Sequence, residues 1–315
     1  MKNSLAFVLI LVLAAALCPF AAAPLGRLPV LLSPAAQTKS DAVTLLREES
    51  GNRETLPLRD YLLGVLAAEA DPQTEPEALT ALCVACRSYT LYWQSAGKPL
   101  SDDPVVCQGY WDDEQRRAAW SDAYDSRMQR LLEALDAAGN ETLTYRDAPI
   151  LAAYHALSPG KTESAAVVWG RDFPYLQSVA ADGDVLSPKV EQTITLTEDA
   201  FYTAAKQLDG TNLKTTARTP VGKCVAADSG FVKRIRIGDR ACSGTEVRDA
   251  FSLPSAFFTL KQTDGGFTFT VRGIGHGVGM SLNSADFMAR QGSSHAEILA
   301  HFYPGATLTG AEADR

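Results

Sequence analysis

Apolar residues recur at helical spacing over residues 58–70 and again from 78 to about 93. Pro72 prevents extension of the first pattern, which predicts a helix ending near residue 70. Thr74 and Glu77 have the spacing of a capping box and predict the start of the second helix. Because the connecting turn is short, we expect the two helices to pack against each other.

A single carboxylate, Glu69, interrupts the apolar run of the first helix. Helical steps back from it reach only apolar residues: Leu66, Val65, Leu62 and Leu58. Burial raises the pKa of a carboxyl group, which suits a general acid near neutral pH. An acid at a helix end can also be structural, bonded to an arginine or to backbone N–H groups. Arg87, on the inward stripe of the second helix, is the expected partner, and the periodicity leaves both interpretations open.

The rest of the chain alternates between helical and strand patterns. An apolar stripe from Trp120 to Leu135 predicts one longer helix, and residues 142–145 and 150–155 predict a hairpin. From about 184 to 260 short strands and surface residues dominate, which predicts a smaller β-rich excursion. Two helices near the end complete an α+β fold, with mixed helices and short antiparallel strands in a core domain.

An apolar run from Leu5 to Ala23 follows Lys2 and has about the length of a membrane span. The expectation is a retained single-pass anchor over residues 1–23, with Lys2 cytoplasmic and the folded part extracytoplasmic. A cleaved signal segment is the alternative, although Pro24 directly after the candidate cut disfavours it. Residues 24–40 contain three prolines and predict a tether before an extracytoplasmic domain over 41–310.

The 315-residue chain has the composition of an ordinary globular protein, with 46% hydrophobic and 21% charged residues. Its net charge of −8 and the lack of any basic stretch argue against a nucleic-acid partner.

Other residues could carry chemistry. The alternating glycines of residues 273–279 fit neither a dinucleotide nor a phosphate loop, so they allow close backbone approach around His276, in a tight turn or facing a substrate. Cys107 with His155 or His276 could form a thiol–imidazole pair or bind a metal. Cys224 and Cys242 could form a disulfide, which the sequence cannot establish.

Six segments, in order from residue 58 to 305, resemble the family of stage II sporulation protein D, which also includes a modifier of a cell-wall amidase. They are Leu58-Arg-Asp-Tyr-Leu-Leu-Gly-Val-Leu-Ala-Ala-Glu69, Glu77-Ala-Leu-Thr-Ala81 with Val84-Ala-Cys-Arg-Ser-Tyr89, Cys107-Gln-Gly-Tyr110, Tyr154-His-Ala-Leu-Ser158-Pro-Gly-Lys-Thr162, Gly275-His-Gly-Val-Gly-Met-Ser281 and Ile298-Leu-Ala-His-Phe-Tyr-Pro-Gly305.

The resemblance implies a lytic transglycosylase acting on peptidoglycan glycan strands, with Glu69 as catalytic acid and base. It also implies work beside an amidase at the engulfing septum of a sporulating cell. Substrate-binding roles are implied for ten residues: Arg87, Tyr89, Gln108, Tyr110, His155, Ser158, Lys161, Thr162, His276 and Ser281. Some members bind zinc near the cleft through Cys and His, which Cys107 and His155 could do here. Because Ser158 stands where those members have Cys, no metal cofactor is expected.

Two other functions remain open at this point. A glycan-binding activator of a separate amidase would not need Glu69. A zinc or thiol hydrolase would instead depend on Cys107 and the histidines.

Overall fold

A computed structural model describes residues 42–97, 99–213 and 220–310. The predicted anchor and tether lie outside these ranges. Among the described residues, no helix is both long and apolar enough to cross a membrane.

The fold is α+β, as predicted, with helices packed against several small sheets. The helices are α1 (Leu58–Glu69), α2 (Pro76–Ser95), α3 (Asp113–Trp120), α4 (Tyr124–Ala138), α5 (Ala165–Trp169), α6 (Glu198–Ala205), α7 (Gly244–Ala250), α8 (Leu282–Arg290) and α9 (His295–Phe302). The strands are β1 (Ala42–Leu46), β2 (Arg53–Pro57), β3 (Leu100–Ser101), β4 (Thr142–Tyr145), β5 (Ala148–Pro149), β6 (Tyr154–His155), β7 (Glu191–Thr197), β8 (Val221–Ala226), β9 (Val232–Ile237), β10 (Arg240–Cys242), β11 (Phe258–Thr263), β12 (Gly266–Arg272), β13 (Met280–Ser281) and β14 (Thr307–Thr309).

The first two helices form the predicted hairpin, but the capping box does not form. Pro76 occupies the first position of α2, and Glu75 before it caps the helix without a side-chain hydrogen bond. Proline is preorganised for that first position, so the helix begins later than a Thr74 cap requires. Glu77 is therefore available to accept from the backbone N–H of His295 at 2.6 Å, which joins α2 to α9.

The single longer helix predicted from the apolar stripe between Trp120 and Leu135 is wrong, because the structure divides this stretch between α3 and α4. Ser121 has a φ of 45°, a conformation that an α-helix cannot contain, and a short 3₁₀ turn follows it. The rings of Trp120 and Tyr124 lie 6.2 Å apart across this break. The apolar stripe thus continues through a break that periodicity alone does not detect.

The predicted hairpin over 142–155 is correct only in its first half. Strands β4 and β5 pair in an antiparallel manner, but β6 leaves them and pairs in parallel with β13. Met280 N–H donates to Ala153 O at 3.0 Å at the start of this contact. Segments separated by more than 120 residues therefore meet at Tyr154 and His155.

Strands β7 to β12 form two three-stranded sheets around a second apolar cluster. Phe201 and Phe267 stack in it with ring centroids 3.7 Å apart. Cys224 and Cys242 are both free thiols, so they do not form the disulfide that the sequence left open. Ser229, in the turn after β8, donates to the buried Glu163 at 2.6 Å and ties this region to the main core.

We expect Gly279→Ala to be far more destabilising than Gly265→Ala. Both glycines have positive φ values, 72° and 82°, so both substitutions incur the left-handed cost of about 1–2 kcal/mol. An added Cβ would lie 1.9 Å from Ala153 O at position 279, whereas position 265 has open space. Urea unfolding should show an additional loss of at least about 2 kcal/mol for Gly279→Ala. Equal losses would contradict the tight β6–β13 contact.

Candidate active site

Glu69 is the last residue of α1, and its side chain is half-buried. Gly109 N–H donates to its Oε1 at 2.5 Å. A Cβ at position 109 would lie 3.1 Å from the same oxygen, so the missing side chain permits this approach. The Tyr154 hydroxyl, from β6, lies close enough to the carboxylate to act as a second hydrogen-bond donor.

The pKa of Glu69 is raised from the ordinary value of 4.5 to about 7. Desolvation by the surrounding protein is the largest cause, and the hydrogen bonds from Gly109 and Tyr154 oppose it. No second carboxylate contributes to this shift. Near neutral pH, Glu69 therefore exists as both carboxylic acid and carboxylate, the two forms that acid and base catalysis require.

Tyr154 connects Glu69 to a buried polar cluster. Its hydroxyl oxygen accepts from Gln108 Nε2 at 3.2 Å and from Cys86 Sγ at 3.7 Å. Gln108 Oε1 lies 3.3 Å from Thr90 Oγ1. The sequence identified Tyr154 only as part of a motif; its place beside His155 in an apolar strand was the available signal.

The predicted pairing of Glu69 with Arg87 is wrong. Arg87 is half-buried, and its guanidinium donates to Asn140 just beyond α4 at 3.2 Å. Arg59, in the first turn of α1, pairs with Asp136 near the same end of α4 at 2.7 Å. Arg87 therefore faces the opposite end of α1 from Glu69, because inward orientation on α2 does not specify the position along its neighbour.

A second buried carboxylate, Asp184, organises the loops beside β6. It accepts from Ser158 through N–H at 2.7 Å and Oγ at 2.6 Å. Ser281 Oγ and Ser284 Oγ donate to its other oxygen at 2.8 and 2.9 Å. Sequence reasoning missed Asp184, because it lies in a short 3₁₀ turn, where no helical or strand periodicity marks a residue as buried. Ser158 and Ser281 are buried, and their hydroxyl groups are hydrogen-bonded to this carboxylate.

His155 and His276 lie together in the interior, with ring centroids 5.8 Å apart. His155 Nδ1 donates to Val278 O at 3.2 Å, and Val278 N–H donates to His276 Nδ1 at 3.0 Å. Burial lowers the pKa of both imidazoles, so both are neutral near pH 7. His155 Nε2 has no hydrogen-bond partner among the described residues.

The other predicted site residues are dispersed. Tyr89 is buried beside Trp93, and Tyr110 stacks on Tyr61 with ring centroids 5.7 Å apart. Thr162 Oγ1 accepts from Val179 N–H at 2.9 Å, while Lys161 is exposed. Of the ten predicted substrate-binding residues, Gln108 is the one that shares a hydrogen-bond partner with Glu69. That partner is the Tyr154 hydroxyl. Contact of these residues with sugar stays a prediction.

Cys107 and His155 have separate surroundings. Cys107 is close to the Tyr89 hydroxyl, whereas His155 lies near Asp184 and His276. Among the described residues, no group of three His, Cys, Asp or Glu side chains could hold a metal ion. The zinc ligands suggested by the sequence are therefore not assembled into such a set.

We expect Glu69→Gln to stabilise the protein above pH 7. The native pKa exceeds the unfolded value, so the stability contributed by the protonated acid is present below about pH 4.5 and is lost as the pH rises to about 7. The upper limit of this loss is about 3 kcal/mol. The difference in Tm, Glu69→Gln minus the unsubstituted protein, should therefore increase between pH 4.5 and 7 and then stay constant. A difference independent of pH would contradict the raised pKa.

Comparison with known proteins agrees with the resemblance seen in the sequence. The family model for stage II sporulation protein matches residues 47–145. Stage II sporulation protein D of Bacillus amyloliquefaciens is 33% identical over 281 residues, covering 86% of this chain and 79% of that protein. The Bacillus subtilis (strain 168) protein of the same name is 30% identical over 280 residues, covering 86% and 80%. An amidase enhancer of Bacillus subtilis is 26% identical over 302 residues, covering 79% of this chain and 40% of that protein. The chain therefore belongs to the stage II sporulation protein D family.

Proposed function

We propose that this protein is a peptidoglycan lytic transglycosylase that cleaves the β-1,4 bond between N-acetylmuramic acid and N-acetylglucosamine. The observation that carries the proposal is Glu69, a desolvated acid with a pKa of about 7 and two fixed hydrogen-bond donors. Family membership supports the same reaction class.

In the first step, protonated Glu69 donates its proton to the glycosidic oxygen while the bond from C1 of muramic acid to that oxygen breaks. Because Gly109 N–H occupies Oε1, we assign the transferred proton to Oε2. The carboxylate that remains keeps its donors from Gly109 and Tyr154, which limits the cost of charge in a desolvated position.

In the second step, the 6-hydroxyl of the same muramic acid attacks C1 and forms the 1,6-anhydro ring. The Glu69 carboxylate takes the hydroxyl proton and returns to its acid form. Protons and bonds balance without a water molecule or a cofactor.

A lytic transglycosylase differs from an ordinary glycoside hydrolase in the number of acids that it needs. Most glycoside hydrolases require two acidic residues, one of which activates water or attacks the sugar. An internal nucleophile removes that requirement, so one acid can serve both steps.

The cellular setting is part of the proposal. The apolar segment before the tether would hold the domain on the outer face of the membrane, within reach of glycan strands. Relatives named for sporulation support a role in septal wall remodelling during engulfment. Similarity to an amidase enhancer supports action beside a cell-wall amidase, and it is also the observation that favours the alternative of a non-cleaving activator.

Glu69→Gln should abolish cleavage while leaving the fold intact, because glutamine cannot donate a carboxylic proton. Peptide-free glycan strands incubated with the protein should gain 1,6-anhydro ends, detected by mass spectrometry, and the variant should form fewer by a factor of about 1000 or more. Glu77→Gln, on the neighbouring helix, is the control and should retain activity. Equal yields from Glu69→Gln would refute the mechanism, and reducing ends would indicate hydrolysis.

The rate should fall as the pH rises through about 7, because the free enzyme must hold Glu69 in its acid form. Above that value kcat/KM should decrease about tenfold for each pH unit, since the protonated fraction does so. Initial rates of anhydro-product formation between pH 5 and 9 give this profile. A decrease of about tenfold already between pH 5 and 6, as expected for the ordinary carboxyl pKa of 4.5, would contradict the desolvated site.

A further inference from the structure

We propose that Gln108 and Cys86 are positioning residues for the reaction: by donating to the Tyr154 hydroxyl oxygen, they keep the single proton of that hydroxyl directed at Glu69. The inference deepens the proposed function and rests on it for its catalytic meaning. It assigns Gln108 to the support of the acid and gives a role to a cysteine that no part of the mechanism has used.

The geometry at Tyr154 supplies the first step. A phenolic hydroxyl has one proton to donate and can accept through its oxygen. Gln108 Nε2 and Cys86 Sγ approach that oxygen at 3.2 and 3.7 Å. With these donors on the oxygen, the proton is left for the carboxylate of Glu69.

Both neighbours are able to donate. Burial raises the pKa of Cys86 well above its ordinary value, so the group remains a thiol at every pH of interest. The Gln108 amide could in principle present its oxygen to Tyr154 instead, and its Oε1 would then compete for the hydroxyl proton. The ionised Glu69 is the stronger acceptor, because a hydrogen bond to a charged group is about twice as strong as a neutral one. The arrangement with Gln108 donating is therefore the consistent one.

Burial makes the arrangement effective. Gln108 and Cys86 are fully buried, and Tyr154 is 3% exposed. Water therefore does not replace a missing donor at low cost, and hydrogen bonds in such an environment polarise one another. Two donors on the Tyr154 oxygen make its O–H a stronger donor to Glu69.

The titratable groups that face Glu69 are consistent with this role. They are Tyr154 from β6, Cys86 from α2, and Tyr61 from α1 itself. None of these is a carboxyl group or a basic side chain that could dominate the field at Glu69. The hydrogen bonds from Gly109 and Tyr154 are therefore the main influence opposing its desolvation.

The catalytic consequence concerns the interval between the two steps. After Glu69 has delivered its proton, it must hold a negative charge in a desolvated position. A fixed hydroxyl donor stabilises that charge without reorganisation, as expected for preorganised dipoles. Loss of either supporting residue should raise the pKa of Glu69, because the ionised form loses part of its stabilisation.

The test measures the pKa of Glu69 directly. Purified full-length protein carrying carboxyl-labelled glutamate is titrated by NMR, and the Glu69 signal is assigned by its absence from Glu69→Gln. We expect Tyr154→Phe to raise the pKa by about 1 pH unit. Gln108→Leu should raise it by about half as much, and Cys86→Ala by less again, because a thiol is a weak donor. The descending limb of kcat/KM should move upward in the same order.

Cys83→Ala is the matched control. Cys83 is a buried thiol one helical turn before Cys86, and its sulfur has no hydrogen bond to Tyr154. Its removal should reduce stability as Cys86→Ala does but leave the Glu69 pKa unchanged. Cys86→Ser, which keeps a donor, should leave the Glu69 pKa closer to its value in the unsubstituted protein than Cys86→Ala does.

The possible results separate the two proposals. Unchanged pKa values in folded Gln108→Leu and Cys86→Ala, or an equal shift in Cys83→Ala, would overturn the positioning role. Should Gln108→Leu fail to fold, Cys86→Ala against Cys83→Ala decides the question. Because the NMR titration needs no substrate, it gives its answer even if glycan cleavage is never observed.

Discussion

The site depends on one electrostatic balance at Glu69. The protein around the carboxyl group disfavours its charge, while Gly109 N–H and the Tyr154 hydroxyl favour it. Stronger desolvation alone would hold the acid permanently protonated, and more donors would hold it ionised. The observed balance gives a pKa of about 7, at which the same group can donate a proton and recover it.

Maintaining this balance requires contact between distant parts of the chain. Glu69 ends α1, Gly109 lies in the loop before α3, and Tyr154 belongs to β6. The parallel pairing of β6 with β13 fixes Tyr154, and Gly279 permits it because any side chain there would meet Ala153 O. Gly279 is thus part of the support for an acid more than 200 residues away.

Buried polar groups stabilise the same region. Asp184 accepts from Ser158, Ser281 and Ser284 and so joins the loop after β6 to the start of α8. A buried carboxylate left without such donors would be strongly unfavourable, so this cluster forms as a whole or not at all. Ser158 and Ser281, which a sequence motif marks as polar cleft contacts, are here hydrogen-bonded to this carboxylate.

The sequence by itself determined the helical hairpin, the α+β class, the position of Glu69 and the family, because these depend on local periodicity and on residues that appear in order along the chain. The tertiary structure alone decided which residues each of these side chains contacts. Arg87 shares the inward face of α2, yet it meets Asn140, because periodicity fixes a direction and not a distance along the neighbouring helix. Tyr154, Gly109 and Asp184 reach their hydrogen-bond partners only when segments distant in sequence pack together, which no local pattern specifies.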